Sequence, residues 1–426
     1  LKCFFRSTAA VLTLLLAPGL CSPAALMTRP QKDSIEVLAE GPTRSTNFAL
    51  IFDRERVGIS GWYDLDADPS MELNLAPLGQ GHAATLFHTV CNVVLDGKKV
   101  PVVPGPPESI TLIENLPERV VIAYSGPLVK LGEARPSEKY PRLVELGTGR
   151  VVGGDVLPNY EIRYTIYPTG MVYVQLLWDV HGTALPLGDL HAVLANAPTD
   201  QFTALNDSKD PERADRSPVS FVLHHGKGPL YRSDALFVPH FGGLPSDWLG
   251  QRVSSSVGKT GWFRSAFCLV PPDREMPQGQ YTWSFLVHLE PGTAGKTSQA
   301  MAIAEDYRHP ATLSLPDPAW GKLDLHQPGD SNSDGFSERD GTYNLIAGHP
   351  GVRFSISAKT GPRHYPVFRV ADWTGLVPES GTLNGKSISR DTDFSAFVVD
   401  GVLVLQYFGV IRDPQADFQF TTGNRP

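Results

Sequence analysis

Several signatures that would name a reaction are missing from this 426-residue chain. It contains no Gly-x-Ser-x-Gly nucleophile elbow, no Walker loop and no dinucleotide fingerprint, so serine-hydrolase, nucleotide and flavin chemistries have nothing to rest on. Twelve histidines are present, yet none stands four residues from another beside a carboxylate in metal-ligand spacing. Charge is sparse: 19% of residues are ionic, the formal net charge is −8, and no basic stripe exists to hold nucleic acid. No apolar run is long enough to cross a bilayer, the N-terminal one included. There is no internal repeat and no low-complexity tract.

What is abundant points to strands. Hydrophobic residues make up 41% of the chain and aromatics 9%, enough for sizeable cores, while Gly 40 and Pro 37 suit many short strands joined by tight turns. The clearest structural statement lies at residues 160–180. Tyr160, Ile162, Tyr164 and Ile166 alternate with Glu161, Arg163 and Thr165; Val172, Val174, Leu176, Trp178 and Val180 alternate with Tyr173, Gln175 and Asp179. This is the period of two of half-buried strands, and Pro168 and Gly170 between them predict a hairpin closing through a type I turn and a bulge.

The N-terminus carries an address. Lys2 and Arg6 precede the apolar residues 9–16, then come Pro18, Gly19 and small residues through Ala25, the three-part layout of a secretory signal peptide over residues 1–25. The expected location is therefore periplasmic or extracellular. Cleavage would leave Cys91 and Cys268, each in a strand-like run; they either pair as one disulfide or pack singly as small hydrophobes, and sequence does not decide between these.

Strands are predicted near residues 34–38, 48–52, 59–65, 84–95, 109–114, 119–125, 143–152, 190–194, 221–224, 236–239, 261–270 and 281–289, with exposed loops at 126–142 and 206–218. Residues 297–307 read as the one helix, with Ala300, Met301, Ile303 and Ala304 on its apolar side. Beyond a Pro-rich boundary, turn signals at Asn384-Gly385 and Asp400-Gly401 mark a second unit of strands. The predicted fold class is all-β: a large antiparallel domain over 33–310, a linker with an Asp-rich loop over 311–341, and a small β-sandwich over 342–426. An export signal, a long run of antiparallel strands, the Tyr-x-x-Arg-Tyr-x-Ile-Tyr-Pro-x-Gly hairpin and a small trailing sandwich resemble the β-supersandwich of the galactose-mutarotase-like and polysaccharide-lyase families. That resemblance implies a polysaccharide or other glycan as partner.

Candidate chemistry follows the strand ends. His224 closes a strand before Gly226-Lys227-Gly228, and His240 stands before Gly242-Gly243, the kind of place where a scaffold presents working groups. In a lyase-type elimination one of these histidines, or a tyrosine such as Tyr164, would take the proton α to a carboxylate that Arg163 or Arg264 neutralises. The alternative is that they are strand-end residues bonded to backbone. Trp62, Trp248 and Trp262 can stack on the apolar faces of sugars, or simply pack. The competing function is a non-catalytic glycan-binding or cell-envelope structural protein using the same face.

A last motif concerns calcium. Asp330, Asn332 and Asp334 followed by Gly335 reproduce the first half of a calcium loop, with the Phe336 carbonyl, Glu338 and Asp340 as further oxygen donors. Gly341 stands where an EF-hand has its bidentate Glu, so the expectation is the Asp-rich loop of an extracellular β-protein. An ordinary solvated Asp/Ser/Gly turn is the other reading.

Overall fold

The computed structural model describes the backbone of residues 25–40, 47–54, 57–66, 68–72, 74, 88–95, 98–136, 144–149, 159–180, 185–198, 202–205, 221–226, 232–240, 252–257, 262–270, 274–291, 297–330 and 332–422, with side chains chiefly in the first sheet, 104–129, 159–180, 277–288 and from 302 onward. The expected all-β class is what these residues show: among them the one α-helix is Thr297–Arg308. No described helix is long and apolar enough to cross a membrane.

The hairpin Asn159–Ile166 and Met171–Val180 sits in the middle of a 15-stranded sheet, with Tyr160 opposite Trp178 and Ile166 opposite Val172. Its turn closes as the sequence predicts. Gly170 donates to the Tyr167 carbonyl at 3.1 Å and takes φ +81°, a value at which a side chain would be strained. On one flank the hairpin pairs with Arg119–Pro136, on the other with Gly279–Pro291.

Arg119–Pro136 is longer than expected, because residues 126–136, read as loop, remain in the strand. Its first half pairs with the hairpin and its second half with Lys98–Pro104 and Val144–Gly149. Pro127 has no N–H to give to a ladder, and it falls where the strand leaves one neighbour for the next. Local turn signals gave way to pairing partners on both sides.

Each face of the hairpin is covered by something different. Against the inner face packs a four-stranded antiparallel sheet made of Ala25–Pro30, Ser34–Glu40, Phe48–Asp53 and Ile59–Asp64. Phe52 meets Tyr164 edge-on at 5.1 Å, Tyr164 meets Tyr124 at 6.1 Å, and the Tyr124 hydroxyl donates to the Asp53 carbonyl at 2.7 Å. Against the outer face, at the turn end only, pack the helix and the C-terminal sandwich.

That sandwich has a five-stranded and a six-stranded sheet. Asn384-Gly385 and Asp400-Gly401 turn with φ of +52°, +73°, +51° and +73°, the type I′ geometry their sequences announce. The stretch 311–341, expected as linker, supplies strands: Leu313–Ser314 joins the five-stranded sheet, and Gly321–Leu323 and Phe336–Ser337 join the six-stranded one. The hairpin, helix and sandwich then share one core, in which Tyr167, Met171, Tyr173 and Leu286 meet Ile303, Ala304 and Tyr307 and continue into Phe336, Tyr343, Phe354 and Phe368. Ring contacts run unbroken from Tyr173 through Tyr307, Phe336 and Tyr343 to Phe368, at 4.9–6.3 Å. Gly341 lies against this chain of rings: a Cβ there would come within 2.0 Å of the Tyr173 ring.

Candidate functional site

A strand sends successive side chains to opposite faces, so Arg163, Thr165 and the turn residue Tyr167 face away from the inner core and toward the sandwich. There they meet the loop 338–341. Thr165 Oγ1 donates to Asp340 Oδ1 at 3.1 Å, the Tyr167 hydroxyl donates to the Asp340 carbonyl at 2.9 Å, and Arg163 Nε lies 3.8 Å from Asp340 Oδ1. Arg339 closes on Asp340 Oδ2 at 2.9 Å. Alongside, Arg119 grips Glu114 at 2.7 Å and sits 5.1 Å over the Phe397 ring, while Arg369 lies 3.9 Å from Asp324. Burial alone would raise the Asp340 carboxyl, but Arg339, Arg163 and Arg119 outweigh it and hold that group below the ordinary aspartate value. Desolvation lowers Arg163, with Asp340 opposing.

Away from the turn the same outer face opens. Glu161 and Gln280 are exposed, and Gln175, Leu177, Asp179 and Thr282 are half-buried. At the border between covered and open sheet, the strand registers place His240, Ser284, Gln175 and Arg163 in a single cross-strand row. Residues directly opposite one another share a face, so the His240 position lies on the same face as Arg163 with two strands between, a backbone separation of about 14 Å. His224 pairs with Asp234, and Asp234 with Glu290, which puts its position on that face too, one strand farther out.

The remaining expected residues do not join this row. Arg264 lies on Trp262–Val270, with four strands between it and the strand of Arg163. Tyr164 follows Arg163 directly and so points to the opposite side, into the inner core, where burial pushes its hydroxyl far above the usual tyrosine value. A neutral phenol locked in a core is not placed to take a proton from a substrate on the other face. Trp62 is 1% exposed and offers no ring face to a sugar. Trp262 opens its strand opposite Pro198. Trp248, the loop 206–218 and the signal segment lie outside the described residues, as do the side chains of His224, His240, Arg264, Trp262, Cys91 and Cys268.

The calcium loop divides in two. Asp330 accepts from the backbone N–H groups of Asn332, Asp334 and Gly335 at 3.3, 3.2 and 2.8 Å, Asn332 Oδ1 accepts from Asp334 at 3.1 Å, and Asp334 Oδ1 accepts from Phe336 at 2.8 Å. These three side chains curl into one turn. Beyond it, the Phe336 ring enters the core, the Glu338 carbonyl receives the Tyr307 hydroxyl at 3.2 Å, and Asp340 turns to its arginines. Among the described residues no three or more His, Cys, Asp or Glu side chains gather as a metal site. Desolvation raises Asp334, its backbone and Asn332 hydrogen bonds opposing, so its ionised form is disfavoured by burial.

Sequence reading passed over Arg119, Glu114, Arg339, Arg369 and Asn344. Alternation groups Glu114 with Ile110 and Leu112, and Arg119 with Val121 and Ala123, so nothing local marks either residue as one that a distant loop will cover.

No protein-family model matches the chain, and no curated protein does. Solved structures share its layout loosely. They include a polysaccharide lyase (10% identity, TM-score 0.30, covering 95% of this chain and 46% of that one) and an α-mannosidase from Enterococcus faecalis V583 (10%, 0.36, 90% and 43%). A galactose 1-epimerase from Lactobacillus acidophilus NCFM is matched over its whole length (9%, 0.27, 64% and 100%). All three likenesses have TM-scores below 0.4. The chain spans less than half the length of the lyase and the mannosidase.

Proposed function

We propose that this is an exported carbohydrate-active protein that holds a polysaccharide across the open outer face of its large sheet. The observation that carries this reading is the border row of positions His240, Ser284, Gln175 and Arg163, with Glu161 exposed and Leu177, Asp179 and Thr282 half-buried beyond it. Such a strip mixes hydrogen-bonding side chains with a flat sheet surface, which suits a ligand made of hydroxyls and apolar ring faces. Retention on a panel of immobilised polysaccharides tests it. One or more should bind, and Gln175→Ala should weaken that binding about fivefold, the size of one lost hydrogen bond, without moving the melting temperature. A panel with no ligand, or Gln175→Ala binding like the parent, overturns the reading.

Lyase-type elimination is the second reading, favoured by His240 and Arg163 sharing one row. A histidine and an arginine with about 14 Å between their backbones can flank one sugar ring, the arginine neutralising a carboxylate while the histidine takes the adjacent proton. Absorbance of unsaturated uronate products from acidic polysaccharides reports it directly. Activity lost in His240→Ala, with binding kept, supports elimination; binding without product at any pH leaves a glycan-holding protein.

We also propose that calcium docks at Asp330, Asn332 and Asp334. Support comes from three oxygen-bearing side chains curled at alternate positions ahead of Gly335, at φ +89°, and from the Asp334 carboxyl, raised by partial desolvation, whose charge a cation would offset.

A further inference from the structure

The junction between sheet and sandwich holds more hydrogen-bond donors than the protein uses. Arg119, Arg163, Arg339 and Arg369 stand there among Glu114, Asp324 and Asp340. Two of the four are poorly engaged. Arg163 and Arg369 each touch a carboxylate only at the long range of 3.8 and 3.9 Å, and the buried Arg163 Nε and Arg369 Nη1 have no hydrogen-bond partner. Side chains 20% and 25% exposed connect this group to solvent. A third donor stands beside Arg369: Asn344, fully buried, is its parallel-strand neighbour, and its Nδ2 has no partner either.

Unspent guanidinium and amide N–H donors at a polar, half-dry junction suit an oxyanion, since a tetrahedral or planar anion brings several acceptor oxygens at once. Leaving such donors unpaired is costly, and an oxyanion satisfies them in a way chloride does not. We propose that Arg163 and Arg369, with Asn344 behind them, bind an oxyanion of the sulfate or carboxylate class at the seam between the large sheet and the C-terminal sandwich, and that its binding fastens the two. The anion can be an inorganic ion or the charged group of an acidic glycan; only the second source rests on the function proposed above.

Melting of the whole chain in sodium sulfate and in sodium chloride at matched ionic strength tests the site. The expected result is a saturable rise of several degrees with sulfate, superimposed on the linear rise that sulfate gives any protein by exclusion, and its loss in Arg369→Gln. Arg369 is held only by its long 3.9 Å ion pair with Asp324, so that variant should fold even if Arg163→Gln does not. A sulfate rise that stays linear with no saturable part, or saturable behaviour surviving in Arg369→Gln, overturns the proposal. A sulfated oligosaccharide and its neutral counterpart then separate the sources. Stabilisation by the sulfated one alone, abolished by Arg369→Gln, assigns the site to glycan; sulfate binding without any oligosaccharide effect keeps the site and removes the glycan from it.

Discussion

The two faces of one hairpin do opposite work. On the inner face Tyr160, Ile162, Tyr164 and Ile166 are buried among apolar and aromatic side chains, and of these four side chains only Tyr160 makes a hydrogen bond, from its hydroxyl to the Gly105 carbonyl at 2.9 Å. On the outer face Arg163, Thr165 and Tyr167 stand one residue away and are held by an aspartate 175 positions distant in the case of Thr165. The inner face rests chiefly on packed rings and aliphatic side chains, with the Tyr160 and Tyr124 hydroxyls tied to backbone carbonyls; the outer face depends on charged donors meeting a carboxylate. Packing and ion pairing have therefore been sorted by strand parity.

The largest effect should come from emptying the inner face. Tyr164→Ala removes a fully buried ring and should cost about 3–5 kcal/mol in urea unfolding. Tyr164→Phe should be neutral or stabilising by up to about 1 kcal/mol, because the hydroxyl is buried with no hydrogen-bond partner. A clear loss on Tyr164→Phe would mean the phenol has a role that this packing does not give it.

Next is the outer face at Asp340. Asp340→Asn leaves three arginines without their shared carboxylate and should cost about 3 kcal/mol at neutral pH. The sign of its pH dependence is fixed. Because the folded protein holds this carboxyl below its unfolded value near 3.9, its contribution is complete above about pH 5 and disappears as pH falls through the depressed folded value. Urea midpoints of parent and variant should differ at pH 7 and converge in acid; a gap that persists when the carboxyl is protonated would place the effect elsewhere.

Smaller effects follow at the edges. Calcium should raise the melting temperature by a few degrees, chelator should reverse this, and Asp334→Ala should remove the response; identical curves in calorimetry would show an ordinary Asx-bonded turn. Smallest in stability is Gln175→Ala, which should change polysaccharide retention and leave melting where it was.

Period-two alternation, the Pro168-Gly170 turn, the Asn384-Gly385 and Asp400-Gly401 turns and the helix at Thr297–Arg308 were all legible in the sequence, because each rests on residues close together in the chain. The same alternation already separated Arg163 from Tyr164, since neighbours in a strand cannot serve one groove. It also set Arg163 on the polar face without saying what would meet it. Asp340, read as a calcium ligand, and Arg163, read as a substrate clamp, became each other's partners only when the sandwich closed over the hairpin. Likewise His240 and Arg163 entered one row through three successive strand registers, and residues 126–136 stayed in a strand because partners flanked them on both sides. Local sequence determines conformation and parity through short-range sterics and burial. Which polar groups neutralise one another is decided by long-range pairing, whose cost and reward are set by segments far away in the chain.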